Sequence, residues 1–318
     1  MVAVLSMLIE EELTRYQVER DTLLSVGVFD GVHLGHRHLL GYLRDQAFSV
    51  GLMPGVVTFV HHPRQVLYPE RGVTNLTPVE ERLELLRDAG MELVAAVSFT
   101  PELSFLDAGQ FLSLLQRNLR LKGLVIGPDF ALGRGREGDA ARLDAISQSM
   151  GLSLERVPQA TINGDVVSST AIRTALGEGD VDRVSRLLGR PFSLRGQVVS
   201  GEERGRTLDF PTANISHLPD QALPADGVYA TFAMTEGHPY PSVTNIGIRP
   251  TFNTGQRTVE TFLLDFKGDL YGQVLTIKLM ARLRAEQRFE SISKLVAQME
   301  KDISLARSIL TVEKAPRN

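Results

Sequence analysis

Residues 22–36 read TLLSVGVFDGVHLGH, and this stretch decides the fold of the first half of the chain. The apolar run at 22–28 predicts a buried strand, the glycine-spaced segment after it predicts a tight turn, and a helical pattern begins at Leu34. Unpaired N–H groups at such a helix start, together with the helix dipole, attract phosphates. The stretch therefore predicts one βα unit of a parallel sheet with an anion site at its turn.

The same alternation continues to about residue 150. Further strand-like runs lie at 55–60, 93–99 and 124–127, and helical patterns lie at 34–49, 77–90, 107–119 and 139–150. One helix opens with Thr77-Pro78-Val79-Glu80, which predicts a capping box with a proline in the first turn. Strands that alternate with helices predict a doubly wound parallel α/β domain.

The pattern changes near residue 185. Two short helical stretches, 170–176 and 180–188, are followed by β-rich runs at 193–199, 227–234, 242–247, 259–266 and 273–283. These runs predict a small antiparallel β-barrel or sandwich, and a terminal helix follows at 291–310. The helix carries one apolar stripe, made of Ile292, Leu295, Val296, Met299, Ile303, Ala306 and Ile309. We expect two domains, 1–186 and 187–318.

Composition excludes several classes of protein. The 318 residues include no cysteine, so disulfides and thiolate sites are excluded. No run is long and apolar enough for a membrane helix, and the first residues lack the basic segment of a secretion signal, so we expect a cytoplasmic protein without a membrane partner. A net charge of −4 argues against a general nucleic-acid binder.

The turn carries two histidines at phosphate-binding positions. His33 and His36 are three residues apart, which predicts that they share a helical face, and Gly35 between them would let a ligand approach the backbone. Two imidazoles there could stabilise charge that develops on a nucleotide phosphate. One alternative is a helix-start turn with solvated histidines. Another is a zinc site, because His38, His61 and His62 lie in the same part of the sequence, although the spacing of the histidines matches no known zinc motif.

Three other segments are candidates. Ser168, Ser169 and Thr170 precede a helical run that contains Arg173; they either cap the helix or hold a leaving pyrophosphate. The segment 133–138 matches G-x-G-x-x-G, but residues intervene between it and the strand, so a mobile basic loop is the better interpretation.

The third segment lies in the second half. The loop 201–214 ends in Pro-Thr-Ala-Asn, and Thr212 and Asn214 offer neutral oxygens to a cation such as Mg²⁺ held by nucleotide phosphates; the alternative is a turn before a strand. Glu260 is a lone acid in a β-rich run, and it is either an exposed strand residue or a general base that faces a substrate hydroxyl.

Taken together, these motifs resemble the prokaryotic bifunctional riboflavin kinase/FMN adenylyltransferase family, also called FAD synthetase. The first half has GVFDGVHLGH (27–36), TFVHHP (58–63), IGPDFALG (126–133) and SSTAIR (168–173). The second half has PTAN (211–214), DGVY (226–229), NIGIRPTF (245–252), VETFLLDF (259–266), LYG (270–272) and LRAEQRF (283–289). Each motif alone is weak, but their joint order across nearly the whole chain is specific.

The resemblance implies a kinase half that converts riboflavin and ATP to FMN. Glu260 matches the family's base, Thr212 and Asn214 match its Mg-nucleotide ligands, and Arg284 and Phe289 match its flavin-side segment. The loop residues Gly201, Gly205 and Arg206 match nucleotide-binding positions.

The resemblance also implies a nucleotidyltransferase-like half that converts FMN and ATP to FAD and pyrophosphate. His33, His36 and Arg173 match phosphate-contacting catalytic positions, and His62 and Asp129 match flavin-side positions. The nucleotide would also contact Gly27, Phe29, Asp30, Gly35, Ser168, Ser169 and Thr170. We expect a monomer or a weak homo-oligomer.

Three positions depart from the family pattern. Asp209 stands where glycine is usual, and an acid beside ATP phosphates predicts weakened nucleotide binding in the kinase half. Val60-His61 and Phe262 also differ from the common residues. The alternatives therefore include an enzyme with a degenerate kinase, a flavin-binding regulator without turnover, and another HxGH nucleotidyltransferase, although the last leaves the β-rich half unexplained.

Overall fold

The computed structural model describes residues 9–128, 130–134, 140–162, 164–200, 210–248 and 257–312. The chain divides into two compact units, Met1–Ser168 and Ser169–Asn318. Within the described residues, no helix is both long enough and apolar enough to cross a membrane.

The described part of the first unit is built on a five-stranded parallel sheet in the order β3-β2-β1-β4-β5. The strands are β1 (Thr22–Val26), β2 (Met53–Phe59), β3 (Leu93–Val97), β4 (Leu121–Ile126) and β5 (Ser153–Arg156). All five residues of β1 are buried, as expected for a central strand covered on both faces. The chain reverses its direction of travel across the sheet between β1 and β4, and ligands bind such sheets at the carboxyl ends of the strands at this point.

Helices cover both faces of this sheet. They are α1 (Leu34–Ser49), α2 (Pro63–Leu67), α3 (Val79–Asp88), α4 (Ala108–Leu119) and α5 (Ala140–Ser149). Leu24 of β1 packs in a core with Leu112 of α4, whereas its neighbour Leu23 packs in a second core with Leu40 of α1. Because successive strand side chains point to opposite faces, one strand contributes to both cores. The doubly wound α/β prediction is confirmed.

The predicted capping box at Thr77 is wrong. Helix α3 begins at Val79, its N-cap is Pro78, and the described residues give this cap no side-chain hydrogen bond. The backbone N–H of Thr77 instead donates to the carboxylate of Asp30 at 3.2 Å. A reciprocal box of this kind does form at α4, between Asp107 and Gln110. A short hairpin, β6 (Thr161–Ile162) and β7 (Asp165–Val166), lies near the end of the unit.

In the second unit, two helices precede a closed antiparallel barrel. The helices are α6 (Ser169–Glu178) and α7 (Val181–Leu188), and α7 ends at Gly189, whose φ of 75° is left-handed. The described strands follow one another around the barrel in the order β10-β11-β12-β9-β8-β13. They are β8 (Phe192–Val199), β9 (Ala213–His217), β10 (Gly227–Thr235), β11 (His238–Ile248), β12 (Arg257–Leu263) and β13 (Val274–Arg284). The barrel and its terminal helix, α8 (Ile292–Val312), are confirmed.

Helix α8 covers one face of the barrel wall. Ala230 and Phe232 of β10 pack against Ala306 and Leu310 of the helix. The side chain of Thr231 points to the opposite side, into the barrel, where its hydroxyl contacts those of Ser242 and Thr244. The predicted apolar stripe is wrong at its start, because Ile292 is 67% exposed. Further along the stripe, Leu295, Met299 and Ile303 are half-buried because they line a cavity.

Candidate active sites

The turn after β1 has a strained backbone. Phe29 and Val32 have φ angles of 52° and 36°, and Gly31 between them has 84°. A β-branched residue at positive φ is rare, because its side chain collides with the backbone. Val32 is fully buried, so packing holds the turn in this conformation. Strain of this kind clusters at ligand-binding turns, and here it lies at the carboxyl end of the central strand.

The two histidines of the turn stack on each other. His33 is the N-cap of α1, and its Nδ1 accepts a hydrogen bond from the N–H of His36 at 3.2 Å. The ring centroids are 3.6 Å apart at 15°, and the Phe29 ring contacts His36 edge-on at 5.3 Å. The stacking confirms the prediction that both histidines share one face at the start of the helix, with His33 at the N-cap. His33 is also buried rather than solvated.

Gly35 is required by the packing of the turn itself. A Cβ there would lie 3.0 Å from the carbonyl oxygen of Val167 and 3.1 Å from the His33 ring. Protein atoms fill the space that a Cβ would occupy, so the glycine accommodates the His33 ring, and ligand contact at Gly35 stays a prediction. Gly27 likewise leaves room for the Phe29 ring, 3.3 Å from an ideal Cβ, and its N–H donates to Val57 at 3.0 Å.

The surroundings of His36 favour its neutral form. Desolvation lowers the pKa of His36 well below its ordinary value of 6.5, and electrostatic interactions with His33 and Arg82 lower it further. The imidazole is therefore neutral at pH near 7, with one donor and one acceptor nitrogen. Its Nδ1 is buried and has no hydrogen-bond partner among the residues that the structure describes.

The sequence predictions missed Arg82, which lies close enough to influence His36. Its side chain, on α3, is 1% exposed and donates from Nη2 to the carbonyl oxygens of Phe59 at 2.6 Å and Val60 at 3.4 Å. Burial lowers the pKa of this guanidinium from its ordinary value. A signal was available, because Arg82 is one turn from the buried Leu86 and so falls on the inner face of the helix.

Asp30 ties the turn to the segment before α3. Its buried carboxylate accepts hydrogen bonds from the N–H of Leu76 at 2.9 and 3.0 Å and from that of Thr77 at 3.2 Å. The structure thus gives Asp30 an anchoring role. Contact between Asp30 and a nucleotide stays a prediction.

The other predicted residues of this half are spread over several elements, and some lie outside the described residues. His62 caps α2, with Nδ1 accepting from the N–H of Arg64 at 3.0 Å, and His61 is exposed. Ser168 ends the first unit, whereas Ser169, Thr170 and Arg173 lie on α6 of the second. Asp129 and residues 135–139 of the basic loop lie outside the described residues.

The second candidate site is a cavity of about 290 Å³ between the barrel wall and α8. Glu260 lies in its wall on β12, in register with Asn245 of β11 and Asn214 of β9. Facing them, α8 supplies an apolar wall. The lining residues are Thr212, Val228, Val243, Asn245, Glu260, Phe262, Arg284, Glu286, Gln287, Phe289, Leu295, Met299, Asp302 and Ile303.

A buried ion pair fixes one side of the cavity. Arg284 donates from Nε to both carboxylate oxygens of Asp302 at 3.0 Å and from Nη2 at 2.8 Å, and its guanidinium lies 5.8 Å from the Phe289 ring centroid. Gln298 donates to the same carboxylate at 2.8 Å. The structure thus brings Arg284 and Phe289, both predicted to bind flavin, into one cavity, and flavin binding there stays a prediction. Asp302 was missed, although a lone acid close to the apolar stripe is a signal.

Glu286 is a second carboxyl group in the cavity. Desolvation raises the pKa of Glu286 above its ordinary value. A hydrogen bond from Asn245 at 3.5 Å acts in the opposite direction and lowers the pKa. A Cβ at Gly247 would lie 1.9 Å from the Glu286 carboxylate, so only glycine leaves this side chain its position.

The oxygen donors of β9 and β12 fit a hard cation. Thr212 and Asn214 are two residues apart at the start of β9, and Asn214 pairs with Glu260. Hydroxyl, amide and carboxylate oxygens are the donors that Mg²⁺ accepts, and the described residues contain no cluster of three acidic, histidine or cysteine ligands that would bind a metal unaided. The oxygens of Thr212, Asn214 and Glu260 therefore suit a cation that enters the site already bound to nucleotide phosphates. Gly201, Gly205, Arg206 and Asp209 lie outside the described residues.

Comparison with known proteins assigns each unit a family. The FAD synthetase family profile matches residues 15–171, and the riboflavin kinase profile matches residues 188–310. The bifunctional riboflavin kinase/FMN adenylyltransferase of Escherichia coli K12 is 38% identical over 92% of this chain and 94% of its own length. That of Bacillus subtilis is 35% identical over 88% and 90%.

A solved structure has the same arrangement of elements. The crystal structure of a Streptococcus pneumoniae protein described as a macrolide-efflux protein superimposes with a TM-score of 0.85 at 29% identity, covering 92% of this chain and 96% of that one.

Proposed function

Because the chain belongs to the family of bifunctional riboflavin kinase/FMN adenylyltransferases, we propose that it makes both flavin cofactors. The C-terminal half transfers the γ-phosphate of ATP to riboflavin, giving FMN, and the N-terminal half transfers AMP from a second ATP to FMN, giving FAD and pyrophosphate. The observation that carries this proposal is that one chain holds both domains, in family order, each with its own candidate site. We take the domain boundary to lie at 186/187 and the reactions to occur in the cytoplasm.

In the kinase half, Glu260 accepts the proton of the riboflavin hydroxyl that attacks the γ-phosphate. Its cross-strand pairing with Asn214 supports this, because paired strand residues lie within about 5 Å of one another. Thr212 and Asn214 hold Mg²⁺, which supplies charge neutralisation on the transferred phosphate. Positioning and charge account for most of the rate enhancement in phosphoryl transfer.

The flavin ring occupies the cavity beneath α8. Phe262, Phe289, Leu295 and Met299 offer apolar and aromatic surfaces to a planar ring, and the volume is near the lower end of ligand pockets, about 300 Å³. Arg284, held by Asp302, keeps Phe289 in place through its contact with the ring.

In the adenylyltransferase half, an FMN phosphate oxygen attacks the α-phosphate of ATP while the bond to pyrophosphate breaks. His33 and His36 stabilise the charge on the phosphates, and the turn of Gly27, Phe29, Asp30 and Gly35 binds the nucleotide. Ser168, Ser169, Thr170 and Arg173 hold the pyrophosphate, and His62 and Asp129 contact the flavin. The chain acts as a monomer or a weak homo-oligomer, without nucleic acid.

A time course tests this function. The purified chain is incubated with riboflavin, ATP and Mg²⁺, and flavins are separated by chromatography. FMN that appears first and FAD that follows support both reactions. FAD formed from added FMN but not from riboflavin indicates a degenerate kinase, for which Asp209→Gly is the restoring variant. Tight flavin binding without any ATP consumption indicates a regulator.

A further inference from the structure

Arg82 is a buried positive charge that forms no direct ion pair among the described residues, although Asp30 and Glu80 act on it through space. Its side chain is 1% exposed, and it forms no ion pair with any carboxylate in the described part of the chain. Its Nε lacks a hydrogen-bond partner there as well. Burying a guanidinium whose direct hydrogen bonds go only to backbone carbonyls is costly, so its position is a feature to be explained.

The guanidinium lies at the functional end of the sheet. Phe59 is the last residue of β2, and Val60 follows it, so the carbonyls that Arg82 binds are at the carboxyl end of the strand next to β1. The histidine turn leaves β1 at this same end. Asp30 also binds the backbone just before α3, the helix that carries Arg82, so the turn and this helix are held together by hydrogen bonds.

The charges around His36 come from two elements. The turn contributes the stacked His33, and α3 contributes Arg82, whose own field is partly offset by Asp30 and Glu80. Arg82 is the permanent cation of this group, because a guanidinium does not deprotonate near neutral pH.

We propose that Arg82 is a positioning residue for adenylyl transfer: it fixes the carboxyl end of β2 against α3 and holds a permanent cation at the end of the sheet where the histidine turn leaves β1. The inference rests on the proposed role of the turn. Approaching phosphates then meet the imidazoles of the turn together with a buried charge that attracts anions without contacting them. A fixed charge in a water-poor site acts strongly and needs no reorganisation during reaction.

Activity measurements compare Arg82→Met with Arg82→Lys. With Met, we expect kcat for FMN adenylylation to fall roughly tenfold to a hundredfold, as for a misplaced catalytic group. The acid limb of the pH profile should move to higher pH, because His36 then protonates more readily. Arg82→Lys should keep the limb near its wild-type position, since it keeps the charge. Riboflavin phosphorylation by the same molecules is the internal control and should not change, which separates this inference from failure of the whole function.

A direct titration of His36 by NMR needs no turnover. In the unmutated protein, His36 should titrate well below a free histidine, and in Arg82→Met its titration should move upward. A wild-type His36 that titrates like a free histidine would overturn the proposal even if the variants fail to fold. An unmoved titration and an unmoved acid limb in a folded Arg82→Met protein would overturn it as well.

Discussion

Arg284 and Asp302 join the last strand of the barrel to the terminal helix through a bidentate ion pair, with side chains only 20% and 6% exposed. Removing one partner of a buried pair leaves the other charge uncompensated. We expect Asp302→Ala to reduce the free energy of unfolding of the second unit by about 3–5 kcal/mol. It should also raise the KM for riboflavin, because Arg284 and Phe289 lose their anchor, while FMN adenylylation continues.

The chain offers a matched control on the same helix. Arg307 pairs with Asp265 at 2.7 Å, but these side chains are 49% and 73% exposed. Arg307→Ala, which removes this exposed pair, should change the free energy of unfolding by no more than about 1 kcal/mol. Denaturant unfolding of both variants, with riboflavin kinetics, makes the comparison. Equal losses in the free energy of unfolding of the two variants would show that burial does not set the contribution of the Arg284–Asp302 pair to stability.

Gly35→Ala should inactivate one half of the enzyme. The new methyl group would press on the Val167 carbonyl and the His33 ring, and a backbone carbonyl cannot rotate away as a side chain end can. We expect adenylylation to fall by roughly a hundredfold as the histidine pair is displaced, with phosphorylation of riboflavin unchanged. The control is Gly41→Ala on the same helix, where no atom lies within 4 Å of the added methyl group. An active Gly35→Ala enzyme would mean that the stacking is dispensable.

The depressed pKa of His36 makes folding stability depend on pH. Below 6.5 the unfolded chain binds a proton at this residue that the folded chain rejects, so stability declines as the pH falls below that value and is fully present above it. His36→Asn should remove this part of the decline. Denaturant midpoints of the wild-type and His36→Asn proteins, measured between about pH 8 and about pH 5, should therefore approach each other as the pH falls. Parallel curves would place the pKa of His36 at its unfolded value.

Hydroxyl groups inside the barrel form a buried network centred on Thr231. Its hydroxyl lies 2.7 Å from that of Ser242 and 2.8 Å from that of Thr244, which in turn contacts Thr261 at 3.0 Å. Thr231→Val keeps the shape but leaves buried hydroxyls with fewer partners, so we expect a loss of about 1–3 kcal/mol in the free energy of unfolding. Thr174→Val, at an exposed position of α6, is the control and should change stability little. A neutral Thr231→Val would mean that the remaining hydroxyls satisfy one another.

The sequence predicted the elements of both units better than the contacts of the sites. Apolar runs such as 22–28 and the glycine at 189 locate strands and helix ends because these depend on local periodicity and backbone freedom. The turn around His33 was recognised, yet its cap and stacking were not, since they depend on positive φ angles at Phe29 and Val32 that no local pattern indicates. Charged residues are normally exposed, which is why Arg82 and Asp302 escaped notice.

The most direct test of the two-site account is complementation between two inactivated proteins. Glu260→Gln should make FAD from FMN but not from riboflavin, and His36→Asn should convert riboflavin to FMN and stop there. Mixed with riboflavin, ATP and Mg²⁺, the two variants should together produce FAD, because FMN released by one is adenylylated by the other. A mixture that yields no FAD, although each variant retains its expected single activity, would contradict free exchange of FMN. A single variant that loses both activities would contradict two separate active sites.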